Sequence, residues 1–368
     1  MNLHGNQKLK RLDRWLGPLP LLVWGSLKHQ GRIPRRIERL LIINISVLGD
    51  SLLILPILKS LKHYHPSLKI DLVCAPENQS VYRYHSAIDR LLCFRPGQWF
   101  QRWTKWGNPG YDLVIDTGQW IRLSALLAMT YPLSRRVGFS TYDQHRHWGY
   151  HRTVSHHQGE WEFYQYLKLF KELEIPEIVG APYLEYPQDA VQHEIIEQLK
   201  EARENGRKLI LLHPGAGNEA KAWPFYGELL TSGPELKNCA FVFTGSKGEG
   251  PKIDANNDRV YDLRGKTNLY TLDQVIGLSD LVVCGNTGPL YLAAFREKKT
   301  LTLPGPVSST QWFWPNPHET VIPVECSHAP CVFLGFEYLC SECSALKRIT
   351  AVKIKQVITE ILNNSATH

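Results

Sequence analysis

From residue 39 onward, short β-branched runs alternate with longer amphipathic stretches, and the whole alternation is played twice. RLLIINIS (39–46), KIDLVCAP (69–76), DRLLCF (89–94), YDLVIDTG (111–118) and RRVGFS (135–140) read as strands. SLLILPILKSLKHYHP (51–66) and IRLSALLAMT (121–130) read as helices among them. A strand that is apolar along its length has no face for water, so it belongs in a parallel sheet covered on both sides. Strands alternating with helices give βαβ units and a doubly wound sheet.

A stretch without helical period and rich in Pro and Gly, EIPEIVGAPYLEYPQ (174–188), is the expected linker. The alternation then restarts. Helices are expected over 189–204, 271–279, 288–296 and 351–364, and strands over 208–215, 240–246, 259–265, 280–285 and 299–305. The expected organisation is an extension (1–38), a first Rossmann-like domain (39–180), a second (181–350) and a terminal helix with tail (351–368). Two such domains put a cleft between the carboxyl ends of two sheets, where open α/β folds take their ligands.

Charge is unevenly spread. Residues 1–39 carry nine Lys and Arg against Asp13 and Glu38, which accounts for the whole net charge of +7. This is a basic extension on a neutral chain, and no recognised nucleic-acid-binding signature accompanies it. Within it WLGPLPLLVW (15–24) is too short to span a bilayer and carries Pro18 and Pro20, read here as breaks. Two readings stand: peripheral contact with anionic lipid, or a segment packed on its own domain.

Three strand-to-helix turns hold the chemistry. NISVLGDSLLILP (44–56) sets Asp50 at the start of an apolar helix, as a cap or as a reactive group. HPGAGNEAKAWP (213–224) follows a strand directly. Its Gly215 and Gly217 let backbone approach a ligand, and Lys221 supplies a mobile point charge. It is not a Walker A loop, and no G-x-G-x-x-G opens the first helix, which argues against a dinucleotide oxidoreductase. GNTGPLYLAA (285–294) begins a helix whose free N–H groups suit a phosphate, while Asn286 or Thr287 equally suits an N-cap.

In their order and spacing LLIINISVLGDSLLILPIL, YDLVIDTG with RRVGF, LLHPGAGNEAKAWP, and DLRGKTNLYTLDQVIGLSDLVVCGNTGPLYLAA with LPGP make a specific pattern. Over most of residues 39–350 the chain resembles glycosyltransferase family 9, the heptosyltransferases. The resemblance implies an α/β fold of GT-B type, with two facing Rossmann-like domains and a C-terminal helix crossing back to the first. It implies inverting transfer of heptose from ADP-heptose to a lipopolysaccharide-core or related glycan or glycolipid acceptor. It also implies a cytoplasmic enzyme, peripheral at the inner membrane face, requiring no cofactor for catalysis.

Carried over by position, Gly49-Asp50 matches the family's Gly-Asp turn, with Asp50 as general base and Gly49 on the acceptor side. Lys221 matches the lysine on the donor diphosphate. Asn286, Thr287 and Gly288 match the turn that binds phosphate and sugar, with Gly215 and Tyr291 also on the donor side. Here the chain departs from the family's D-[ST]-G-x-x-H: the Asp is Asn286 and the His is Tyr291. An amide still forms hydrogen bonds but has lost the charge, which touches donor identity more than reaction class.

Arg135 and Arg136, with Arg146, Arg152 and five histidines in 135–157, form an expected basic rim for an anionic acceptor; a solvated loop is the other reading. Cys74, Cys93, Cys239 and Cys284 lie singly in apolar runs, as small buried residues of a reducing compartment do. Cys326, Cys331, Cys340 and Cys343 have the spacing of a structural zinc or iron site. Free thiols or a disulfide are the alternatives, and the resemblance extends to a subgroup of protein heptosyltransferases with an iron finger at this point. Two further readings keep the fold but not the transfer: a 2-epimerase, and a non-catalytic scaffold that binds nucleotide sugar.

Overall fold

In a computed structural model of the protein, which describes residues 13–15, 17–26, 32–98, 106–107, 109–215, 221–231, 236–254, 256–333, 337–338 and 345–364, the chain divides into two units. They are Met1–Glu185 and Tyr186–His368. The division falls inside the expected linker, beyond the expected boundary at residue 180. The extension belongs to the first unit and the terminal helix to the second.

Continuous burial shapes the first sheet. β1 (Arg39–Asn44) is buried at every residue but the first, and β2 (Lys69–Cys74) likewise. β3 (Arg90–Cys93), β4 (Leu113–Asp116), β5 (Arg135–Ser140) and β6 (Arg152–Ser155) complete a six-stranded sheet of order β3-β2-β1-β4-β5-β6. Every pairing is parallel, with Ile43 beside Asp116 and Asn44 beside Cys74. The four single cysteines follow the expectation closely: Cys74, Cys239 and Cys284 are buried and Cys93 is half-buried.

Five helices belong to this account of the first unit and its edges: α1 (Pro18–Ser26), α2 (Leu48–Tyr64), α3 (Arg122–Met129), α4 (Glu162–Leu169) and, opening the second unit, α5 (His193–Glu204). α1 corrects the reading of Pro18 and Pro20 as breaks. Both lie in the first turn of the helix, where a missing N–H removes no intrahelical bond.

The second unit repeats the plan. β7 (Lys208–His213), β8 (Cys239–Phe243), β9 (Val260–Asp262), β10 (Leu281–Cys284), β11 (Thr300–Thr302) and β12 (Glu319–Val321) form a parallel sheet of order β12-β11-β10-β7-β8-β9. α6 (Leu269–Leu278) and α7 (Gly288–Phe295) pack beside it, and α8 (Ala351–Asn363) closes the chain. The resemblance implies that α8 crosses back to the first unit. Ile354, Val357, Ile358 and Leu362 of α8 join a core cluster with Ile210, Trp223, Phe241 and Leu301 of the second unit. The amphipathic stripe that the sequence shows is thus buried on α8's own unit, and Trp223 Nε1 donates to Ile349 O just ahead of it at 2.8 Å.

Candidate active site

Both sheets carry the same strand order, first-strand neighbours on either side and the reversal between the first and fourth strands. In such sheets the crevice lies beyond the carboxyl ends of those two strands. In the first unit the crevice is therefore built from the turn after β1 and the loop after β4. In the second it is built from the turn after β7 and the turn after β10.

Asp50 stands at the first of these crevices. The N-cap of α2 is Val47, so Asp50 is the third helical residue and not the cap. Its side chain is buried, at 8% exposure, while Gly49 is half-buried beside it. A carboxylate in the first turn of a helix is favoured by the helix dipole.

What fixes this turn is a buried amide and hydroxyl network that sequence reading missed. Asn44 at the end of β1 donates through Nδ2 to Thr117 Oγ1 at 2.8 Å. Ser51 Oγ bonds Asn44 Oδ1 at 3.0 Å and Val47 O at 2.9 Å. Asn78 Nδ2 reaches Asn44 Oδ1 at 2.9 Å and Ser51 Oγ at 2.7 Å. All four residues are 0% exposed. Isolated polar residues within apolar runs were the available signal, but nothing in sequence pairs residues that lie 27 to 73 positions apart.

The expected basic rim turns inward. Arg136 is buried, and gives Nε to Gly149 O at 2.8 Å and Nη1 to Tyr131 O at 3.1 Å. Arg135 donates Nε to Arg32 O at 3.1 Å. Both open β5, so they lie at the amino edge of a parallel sheet whose carboxyl edge bears Asp50. At about 3.3 Å per residue the two edges stand roughly 16 Å apart along β5. Arg135 and Arg136 thus lie away from the carboxyl edge that bears Asp50.

Arg146 is fully buried against Asp116, Nη2 to Oδ2 at 2.5 Å, and its Nη1 also donates to Gly118 O. Tyr150 donates to the same Asp116 oxygen at 2.5 Å. Burial works against the Arg146 charge, but Asp116 and Tyr150 outweigh it and the guanidinium is held more firmly than usual. His156 Nε2 lies 3.0 Å from both carboxylate oxygens of buried Glu162, which also accepts from Gln119 and Gln165 at 3.0 Å. These groups brace the loops after β4 and β6. The positive charges counted in sequence at 146 and 156 have internal partners.

In the second unit Gly215 follows β7. A Cβ built there would overlap Glu249 Oε2, so a larger residue would displace that carboxylate. Glu249 Oε2 accepts from Ser246 N at 2.8 Å. Arg264 grips Asp262 at 2.7 and 2.8 Å and reaches the carbonyls of Glu249 and Pro251, which ties the Glu249 loop to the end of β9. His213 closes β7, with Nδ1 3.0 Å from Thr244 Oγ1. Burial pushes its pKa down to about 4 against the pull of Glu249, so the imidazole is neutral at pH 7.

The turn after β10 brings the other donor-side residues. Thr287 is the N-cap of α7, without a side-chain cap bond, and Gly288 opens the helix. Asn286 Nδ2 donates to Trp312 O at 2.6 Å. Tyr291 is buried within α7, at 2% exposure. Half-buried Lys221 lies at this turn, since a Cβ on Gly285 would sit 3.5 Å from Lys221 O.

With that geometry in view, the profile of glycosyltransferase family 9 (heptosyltransferase) matches residues 99–338. The chain belongs to glycosyltransferase family 9. Among curated proteins it is similar to lipooligosaccharide heptosyltransferase 2 of Campylobacter jejuni subsp. jejuni, 26% identical over 172 residues. That alignment takes in 44% of this chain and 53% of the relative, so the chain spans about half the length of the curated relatives it matches. Among solved structures it is similar to a family 9 glycosyl transferase of Veillonella parvula, at a TM-score of 0.70 and 15% identity over 91% of this chain and all of that one. It is also similar to ADP-heptose LPS heptosyltransferase II of E. coli, at 0.63 and 18% over 89% of this chain and all of that one. These two likenesses carry the GT-B-like α/β fold.

The cysteine cluster falls partly beyond view: Cys340 and Cys343 lie outside the described residues. Cys331 is buried, with its N–H on Pro306 O at 3.0 Å, and Cys326 is half-buried. Among the described residues no group of three His, Cys, Asp or Glu side chains could hold a metal ion.

Proposed function

We propose that the protein is an inverting glycosyltransferase that moves heptose from ADP-heptose to a lipopolysaccharide-core or related cell-surface glycan. The observation that carries this is the placement of the family-matched residues: Asp50 at the switch point of one sheet, and Gly215, Asn286 and Thr287 at the switch point of the other. Asp50 takes the proton of an acceptor hydroxyl, the oxygen attacks the anomeric carbon, and ADP leaves from the opposite face. General base catalysis of this kind contributes about 10²–10⁴ in rate. Negative charge grows on the leaving diphosphate, where Lys221 and the amino end of α7 offset it.

Under this reading the acceptor is a glycolipid at the inner face of the cytoplasmic membrane, with the basic extension against anionic lipid. Cys326, Cys331, Cys340 and Cys343 would hold a structural zinc or iron, with no step of the transfer routed through it. Asn286 favours a second reading, a nucleotide-sugar-binding scaffold, because its amide is engaged by Trp312 O. Transfer from ADP-heptose by wild type and Asp50→Ala separates the two. Loss of transfer with donor binding intact supports the base; undiminished transfer in Asp50→Ala overturns it.

A further inference from the structure

α1 is anchored by one face only. Leu21 is 0% exposed. A Cβ on Gly25 would lie 2.5 Å from Trp148 O, and one on Gly17 would lie 2.6 Å from Arg122 Cδ, so both glycines admit close backbone contact. Asp13 ties the start of the segment down, accepting from Leu123 N at 3.1 Å and from Arg122 N and Nη1 at 3.3 Å. The described part of the extension from Asp13 to Ser26 therefore packs on its own unit, in line with one reading of the sequence.

Large apolar side chains of α1 and of the residues before it stand in water. Trp15 is 82% exposed, Leu19 67%, Val23 51% and Leu22 49%. Tyr142, 87% exposed, follows next but one after the last residue of β5. Its neighbour Asp143 meets Arg14 at 3.5 Å and gives its carbonyl to Arg122 Nη2 at 2.9 Å, which sets Tyr142 beside the start of the extension. Few single-chain surfaces carry so many large apolar groups together without a use for them.

Charge selects the occupant. Both acids of the extension are engaged: Asp13 by Arg122, and Glu38 by Arg36 at 2.8 Å. Arg14 precedes α1 and Arg32, Arg35 and Arg36 follow it, all within a segment of formal charge +7. An apolar stripe with Trp, flanked by cations, fits the boundary between anionic headgroups and acyl chains. No described helix is long and apolar enough to cross a membrane.

We propose that Trp15, Leu19, Leu22, Val23 and Tyr142 form a docking surface for an anionic bilayer, with Arg14 against the headgroups. α1 starts beside Arg122, the first residue of the helix that follows the switch-point strand β4. Docking through this surface holds the carboxyl edge of the first sheet at the headgroup layer, where a lipid-borne acceptor presents its sugar. That last consequence rests on the transferase reading; the docking does not.

The full chain is sedimented with vesicles of phosphatidylcholine alone and with vesicles containing phosphatidylglycerol, alongside Leu19→Asp/Leu22→Asp. The expected result is co-sedimentation of wild type with the anionic vesicles only, weakened by salt. The double variant should lose affinity by roughly tenfold or more. Thermal melting of the variant should match wild type, because both positions face solvent. Donor turnover with a water-soluble acceptor should also be unchanged, which separates failure of docking from failure of the enzyme reading. Equal binding of variant and wild type, absence of wild-type binding to anionic vesicles, or a wild-type dimer that the variant abolishes would each overturn the proposal.

Discussion

The side-chain carbonyl of Asn44 accepts from Ser51 Oγ at 3.0 Å and from Asn78 Nδ2 at 2.9 Å, so one buried amide joins the end of β1 to the first turn of α2. Asn78→Ala removes the donor and leaves buried acceptors unmatched, a loss of about 1–3 kcal/mol. Denaturant unfolding should show that loss, and transfer should fall further than stability alone explains because the Asp50 turn loses its brace.

Arg146 and Asp116 are both fully buried, so each makes the other's charge tolerable. Arg146→Met strands the carboxylate and should cost about 3–5 kcal/mol. Adding Asp116→Asn removes the stranded charge while keeping an acceptor for Gly118 N. The double variant should therefore unfold at higher denaturant than Arg146→Met alone.

Two glycines of the second unit should respond differently to the same added methyl group. At Gly215 the Cβ would overlap the Glu249 carboxylate, whereas at Gly285 the nearest atoms stand at ordinary contact distance. Gly215→Ala should raise the donor KM about tenfold, the equivalent of one lost hydrogen bond to a charged group. Gly285→Ala should leave steady-state kinetics close to wild type.

On the proposed reading Lys221 meets the donor diphosphate. Lys221→Ala should lower kcat/KM by roughly 10²–10³, with much of the effect in kcat if the ammonium meets charge that grows as the diphosphate leaves. An effect confined to KM would assign it to ground-state binding instead.

His213 gives the second unit a pH dependence. Its pKa falls from the ordinary 6.5 to about 4 because burial disfavours the imidazolium. The unfolded chain then binds the proton more readily than the folded one between those values. Stability is full above pH 6.5 and is lost as pH falls toward 4. Melting temperatures measured across that window should fall less steeply for His213→Asn than for wild type.

Much of this architecture could be read from the chain alone, for identifiable reasons. β1 and β7 are apolar between their terminal residues and β10 throughout, the pattern of strands covered on both faces. β6 (RTVS) and β12 (ETV) escaped because edge strands of three or four residues need no apolar run. The positions of Asp50 and of the Asn286 turn at helix starts were legible because a strand-to-helix turn is local in sequence. The inward partners of Arg136, Arg146 and His156 were not legible, because counting basic residues says nothing of direction, and Gly149, Asp116 and Glu162 meet them only in the fold.

Because the two sheets share one strand order, Asp50 and Gly215 both follow the first strand of their sheet, and Thr117 and Asn286 both follow the fourth. The chain holds the same strand-order reversal twice. On the proposed reading the first crevice serves the acceptor and the second the donor. Lesions in the first should shift half-saturation by acceptor and leave that of donor alone, and lesions in the second should do the reverse, so the kinetics inherit the modularity of the fold.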